Sequence, residues 1–343
     1  MLTRIKGLIP GHEGARGVMD YVVAVAAVAV LAIVVLMMLF DHEPAQFDVR
    51  EATALRAATP AGAAPVRGST TTATMIEVID RILHKRGGYL TNDVMPPGLL
   101  MDNMPNWEWG ALVQTRDLAI ALRNDLSRSQ TQSTEDPNLV KADNKLRIDS
   151  ESWMFPAAET EYQEAADALT AYLQHISAPG EQRAQFYARA DNLRNWLAVV
   201  EKRMGDLSQR LSASVGQVRV NTDLAGDTGA EQSTQGPDVL VVQTPWLQID
   251  DVFYEARGAS WALLHFLRAV EQDFASVLDK RNALVSLRQV IRELESTQDM
   301  MWSPMVLNGE GFGFVANHSL VMASYISRAN AAIIDLRMLL ERG

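Results

Sequence analysis

The 20 residues from Tyr21 to Phe40 (YVVAVAAVAVLAIVVLMMLF) contain no charge, proline, glycine, asparagine or glutamine. Nothing else in the chain restricts its fold as sharply. At about 1.5 Å per residue, a helix of this length crosses the roughly 30 Å hydrocarbon core of a bilayer. A helix buried in a soluble core normally keeps a polar stripe, and this run has none. It also exceeds the roughly 7–15 apolar residues of a cleaved signal peptide. Asp41-His42-Glu43-Pro44 follows it in place of a small-residue cleavage pattern. The expectation is a retained signal anchor over residues 21–40. Arg4, Lys6 and Arg16 precede it, whereas Asp41, Glu43 and Asp48 come before the first basic residue beyond it, Arg50. The positive-inside rule then keeps the tail, residues 1–20, in the cytoplasm. The bulk of the chain is expected across the membrane, which in a bacterium is the periplasmic face of the inner membrane.

The chain carries a net charge of −11, and −12 remains once the net +1 of residues 1–20 is set aside. Such acidity argues against a nucleic-acid partner, which needs basic surface to displace counterions. There is no cysteine. Disulfides, thiolate metal sites and cysteine nucleophiles are therefore excluded, and an oxidising compartment fits.

Residues 41–70 are rich in Ala, Thr and Pro and read as a flexible linker. Residues 71–343 read as one periplasmic helical bundle domain with a mobile, low-complexity loop at 221–237. Asp238 to Gln243 (DVLVVQ) reads as an extended segment, because a lone strand has no obvious partner. Elsewhere the apolar spacing is helical. Helices are expected from Ser69 to Gly87, from Trp109 to Ser129, and from Pro156 to Pro179. A long one is expected from Glu181 to Ser214, with a seam of Phe186, Ala190, Leu193, Leu197, Val200, Met204, Leu207 and Leu211. Val252, Ala256, Ala259, Leu263, Phe266 and Val270 repeat the 4-3 spacing, as do Met322, Ile326, Ala329, Ile333, Leu336 and Leu340. Leu284, Leu287, Ile291 and Leu294 mark a further helix between them. The expected fold class is all-α: an N-terminal transmembrane helix plus an elongated extracytoplasmic helical bundle with heptad-like seams. Three seams can bury one another within one chain, so bundle packing is favoured over a homodimeric coiled coil. A homo-oligomer stays open.

No established catalytic pattern emerges. The six histidines form no H-x-x-x-H or H-E-x-x-H pair, so the helical zinc signature is absent. Met95, Met101 and Met104 lie in one Pro-rich stretch and Met300, Met301 and Met305 in another. Thioethers bind Cu(I), but Trp107, Trp109 and Trp302 beside them favour apolar packing. No cofactor and no metal are expected. Gly309 to Gly313 (GEGFG) places three glycines before a helix start, where an anion can dock, although a structural turn is the plainer reading. An enzyme or ligand receptor would have its site where this loop, Trp302 and the Trp107 stretch meet. The candidate ligand-binding residues there are Arg86, Asp93, Glu108, Arg257, Asn317 and His318.

Several stretches carry a family resemblance: Arg86-Gly87-Gly88-Tyr89-Leu90-Thr91-Asn92-Asp93, Trp107-Glu108, the Ser127 to Asp136 run, Phe186 to Leu193, Ile249 to Gly258, and Ala316 to Met322. Together with the anchor they resemble a family of single-pass inner-membrane proteins of proteobacteria, classed as a domain of unknown function. The resemblance implies an envelope location and supplies no catalytic residue. The expected role is a non-enzymatic scaffold or adaptor that binds other envelope proteins. The alternative is an envelope enzyme or small-ligand receptor with its site at the Gly309–Gly313 loop.

Overall fold

A computed structural model describes residues 12–57, 65–128, 134–178, 184–220, 239–303, 305–310 and 313–342. The apolar run lies in helix α1 (His12–Phe40). Its segment Met19–Phe40 is unburied, and is long and apolar enough to span a membrane or to act as a signal sequence.

The chain does not leave α1 as a free tether. The Asp48 carboxylate accepts the backbone N–H groups of Arg50 and Glu51 and starts a short helix, α2 (Val49–Arg56). Val49, Ala52 and Thr53 of α2 are buried, and Arg56 pairs with Glu77 at 2.6 Å. Residues 41–57 are therefore docked, which corrects the expectation of a flexible linker starting at Asp41. An Ala/Thr-rich sequence hid a capped turn whose small residues fit closely against the body. Residues 58–64 of that expected linker and the expected mobile loop at 221–237 lie outside the described residues.

Next comes α3 (Ser69–His84), whose N-terminal turn is polar yet buried. The Asp273 carboxylate holds it by accepting the N–H groups of Gly68 and Thr71 and the Thr71 hydroxyl at 2.7–2.9 Å. Helix α4 (Asn103–Ala121) begins before the expected Trp109, capped by Asp102, and runs into a π-helical turn at Leu122–Leu126. Helix α5 (Pro137–Leu146) was not expected. Asp136 caps it and Pro137 occupies its first turn, both ordinary start signals. Then follow α6 (Ala158–Ser177) and α7 (Ala190–Ser212). A two-stranded antiparallel ribbon pairs β1 (Gln217–Val220) with β2 (Val239–Val242), Gln217 opposite Val242. The segment expected to be an unpaired extended stretch thus finds its partner just after α7. Four helices complete the chain: α8 (Ile249–Asp273), α9 (Ala275–Lys280), α10 (Leu284–Ser296) and α11 (His318–Glu341). The fold is all-α apart from the ribbon.

The seams on α8 and α11 and the Leu193 to Leu211 part of that on α7 are buried inside the body, but α7 starts at Ala190 and not at the expected Glu181, which leaves Phe186 half-buried in a non-helical segment ahead of it. Leu193 to Leu211 of α7 and Met322 to Leu340 of α11 face one another. These two helices run antiparallel, with Ser208 bonded to the Ala323 carbonyl and Arg337 paired with Glu201. Helices α4 and α8 approach most closely through glycine. A Cβ on Gly110 would sit 2.0 Å from the Glu255 carbonyl oxygen, and one on Gly258 would sit 1.9 Å from that of Trp107. Trp107 and Trp261 pack beside this crossing with ring centroids 5.1 Å apart.

One end of the body is where α1 arrives. The Phe40 ring occupies the space above Gly87, where a Cβ would come within 2.7 Å of it. Lys85, just after α3, pairs with Glu108 near the start of α4. Asn106 of α4 bonds Asp251 near the start of α8. Ser214, just after α7, accepts from Asn308 ahead of α11. The starts of α4, α8 and α11 and the ends of α3, α7 and α10 therefore share the end that receives α1.

Candidate functional site

Between α8, the end of α10 and the start of α11 lies an open cleft of about 420 Å³. Its walls are largely apolar: Phe253, Met300, Met301, Trp302, Met322 and Tyr325 line it, with Val321. Trp302 is 90% exposed at its rim and Met300 is 72% exposed. Methionine adapts its shape to varied apolar partners, and clustered methionines recur on surfaces that bind apolar segments.

Two candidate residues reach this cleft, Arg257 and His318. Arg257 is buried and already engaged. Its Nε and Nη2 donate to the two Glu43 carboxylate oxygens at 2.6 and 2.7 Å, and its Nη1 donates to the carbonyls of Thr297 and Asp299 at 3.1 and 3.0 Å. Burial works against the charged guanidinium, but the bonds to Glu43 outweigh it and hold its pKa above the ordinary value. Arg257 thus ties the segment after α1 to the segment after α10. His318 accepts the Leu307 N–H on Nδ1 at 3.1 Å. Partial burial lowers its pKa, so the ring is neutral near pH 7. Its second ring nitrogen has no partner among the described residues.

The other four candidates lie elsewhere. Asn317 caps α11: its Oδ1 accepts the Leu320 N–H, and its Nδ2 donates to Asn308 and to the Gly309 carbonyl. It closes the loop from 308 to 317 and is consumed in doing so. Gly311 and Phe312 of the expected glycine site lie outside the described residues. Glu108 is fully buried, where its carboxylate accepts the N–H groups of Leu90 and Thr91, the Thr91 hydroxyl and the Lys85 ammonium at 2.5–3.1 Å. Burial pushes its pKa up and those donors oppose the rise. Asp93 is exposed just beyond that turn, and Arg86 lines a different cleft with His42 to Ala45, Glu77 and Lys85. Trp107, expected in a loop beside Trp302, is a core residue of α4. The expected convergence of six polar residues on one pocket is therefore corrected. Both Glu108 and Asn317 are spent on satisfying the backbone of a turn, Asn317 on the loop beside it in sequence and Glu108 on the remote Leu90-Thr91 turn.

Sequence reasoning missed the strap, residues 41–57, and its seat. Phe47 stacks on His265 with centroids 4.0 Å apart, and its N–H donates to His265 Nε2 at 3.1 Å. His265 Nδ1 in turn donates to the Trp261 carbonyl at 2.7 Å. A helical histidine four residues after a tryptophan gave no local sign of this use. Among the described residues no group of three or more His, Asp or Glu side chains is arranged to hold a metal ion.

The family described as "uncharacterized protein conserved in bacteria" (DUF2333) matches residues 14–343, and the chain belongs to it. Neither the curated proteins nor the solved structures provide a match.

Proposed function

We propose that this member of a conserved bacterial family is a single-pass inner-membrane protein of the cell envelope. Its extracytoplasmic helical body acts as a non-enzymatic adaptor that holds an apolar segment of another envelope protein in the methionine-lined cleft. The observation that carries this reading is the composition of the cleft. Met, Trp, Phe and Tyr side chains dominate its walls, with Ser296, Thr297, Asp299 and Ser303 among them, while its one cation, Arg257, is spent on Glu43 and two carbonyls. Such a surface offers adaptable apolar contact and little acid–base chemistry. The enzyme alternative needs several free polar groups around one cavity. His318 is the one candidate that retains a free ring nitrogen at the cleft.

The location is tested by fractionation, resistance to alkaline carbonate, and protease access from the periplasmic side. The adaptor role is tested by placing a photoreactive amino acid at Trp302, Val321 or Tyr325 in living cells. Val285 and Met338, away from the cleft, are controls. One adduct of defined mass is expected from the cleft positions, absent from the controls and lost on Met322→Glu. Equal labelling from all positions, or none from the cleft, overturns the adaptor reading.

A further inference from the structure

The end of the body that receives α1 also carries most of its exposed apolar bulk. Leu99 and Leu100, exposed, lie immediately ahead of α4. Trp246 (72% exposed) and Leu247 (83%) lie immediately ahead of α8. Trp246 and Asn103 line one small depression, and Asn103 is near enough to Asp41, the first residue after α1, to act against the rise that burial imposes on its pKa. Trp153 and Phe155 (91% exposed) lie ahead of α6. Their loop is held to the turn beyond Gly87 by Tyr89, which donates to the Ser150 carbonyl, and by Asn92, which donates to that of Ser152. Every tryptophan exposed among the described residues, Trp153, Trp246 and Trp302, is at this end. Away from it, exposed aliphatics such as Val66, Val285 and Met338 stand singly, which is ordinary for a protein surface.

There is no slack between α1 and this end. Phe40, the last apolar residue of the run, touches the body at Gly87. Glu43, three residues on, is fixed to Arg257. Three residues reach at most about 10 Å even when fully extended. The apolar boundary of α1 and the surface of the body therefore coincide.

We infer that the anchor end of the body rests on the bilayer surface itself, with Leu99, Leu100, Trp153, Phe155, Trp246 and Leu247 seated in the interfacial layer around the exit of α1. The inference rests on reading α1 as a membrane span. Tryptophan favours that layer because its ring is apolar and its N–H polar. The seat is apolar and not electrostatic. Asp41, Glu43, Asp102, Asp250 and Asp251 outnumber Lys85, Arg86 and Arg257 beside the exit, and Lys85 and Arg257 are spent on Glu108 and Glu43, so anionic headgroups are not recruited. The contact therefore needs no anionic lipid and survives high salt, unlike a polybasic membrane patch.

The test uses the full chain reconstituted in phosphatidylcholine vesicles, with and without phosphatidylcholine brominated along the acyl chain. Quenching of tryptophan emission is expected, unchanged by 0.5 M salt. Trp153→Phe, Trp246→Phe and Trp302→Phe together should remove most of it, since Trp107, Trp196 and Trp261 are core residues and Trp109 is half-buried. Brominated lipid that leaves emission unchanged, or quenching that persists after all three substitutions, overturns the inference when the chain still resists carbonate extraction. A chain released by carbonate instead overturns the span reading on which the inference stands.

Discussion

Acid should weaken the seat of the strap, and the size of the effect follows from His265. The ring is fully buried between Phe47 and Trp261. Nδ1 donates to a carbonyl and Nε2 accepts an N–H, so only the neutral ring satisfies both contacts. Burial moves its pKa from an ordinary 6.5 down to about 4, with Arg268 and Arg81 pushing the same way against the Trp261 carbonyl and Glu77. Between those values the unfolded chain binds a proton that the folded chain refuses. Stability therefore falls as pH drops below about 6.5, and the loss is complete below about 4. At about 1.4 kcal/mol per pH unit the whole loss is roughly 3 kcal/mol, of which roughly 2 has occurred by pH 5. Burial pushes Glu108 and Asp273 upward, so their protonation acts in the opposite direction. The raw pH profile mixes these effects, and a comparison with His265→Phe separates them. The variant loses the bond to the Phe47 N–H, a constant cost of about 1–2 kcal/mol. Guanidinium unfolding at pH 7.5 and 5.0, followed by tryptophan emission, measures the gap between the two proteins. The gap should shift by roughly 2 kcal/mol in favour of the variant on acidification. A gap that stays constant between these pH values refutes the reasoning.

Three further outcomes are expected. Ala at Gly110 or Gly258 puts a methyl about 2 Å from a facing carbonyl oxygen, so each should cost roughly 1–3 kcal/mol or more in denaturant unfolding, and a neutral result would contradict the α4–α8 crossing. Arg257→Ala leaves a carboxylate and two carbonyls without their donor; it should cost about 3 kcal/mol, more than Glu43→Gln, and should speed hydrogen exchange in residues 41–48. Lys85→Met leaves Glu108 buried without its cation; it should destabilise by about 3 kcal/mol without changing crosslinking from the cleft, and a loss of crosslinking would place the turn in the binding site.

The seams were legible because every contact they make is periodic. Leu197, Ile333 and Leu263 announce their burial by spacing alone, and all three are core residues. The strap was not legible because its contacts are remote. Glu43 meets Arg257 across 214 positions, and Phe47 meets His265 across 218. Locally, those four residues read as a charged or aromatic side chain in unremarkable company. The ribbon failed for a milder version of the same reason, since β2 pairs with a strand before the 221–237 stretch. For the site, residue type misled. Asn317 looked chemically available beside the glycine loop and Glu108 beside Trp107, yet Asn317 is occupied by that loop and Glu108 by the remote Leu90-Thr91 turn. The cleft was legible only in part: Met300, Trp302, Arg257 and His318 drew attention, but Phe253, Met322 and Tyr325, which complete its apolar wall, come from separate segments and are individually ordinary.

The same remoteness sets an order of assembly. The strap emerges early during synthesis, yet its seat on α8 and the carbonyls after α10 are made more than 200 residues later. Contacts of such high sequence separation form late, because a large loop must close first. Until then the strap has its nearer contacts alone, such as Arg56 with Glu77 and Phe40 against Gly87. A product that stops before α8 therefore keeps α1 and these nearer contacts but lacks the seats of Glu43 and Phe47. Docking of the strap records that the second half of the chain has been made and folded.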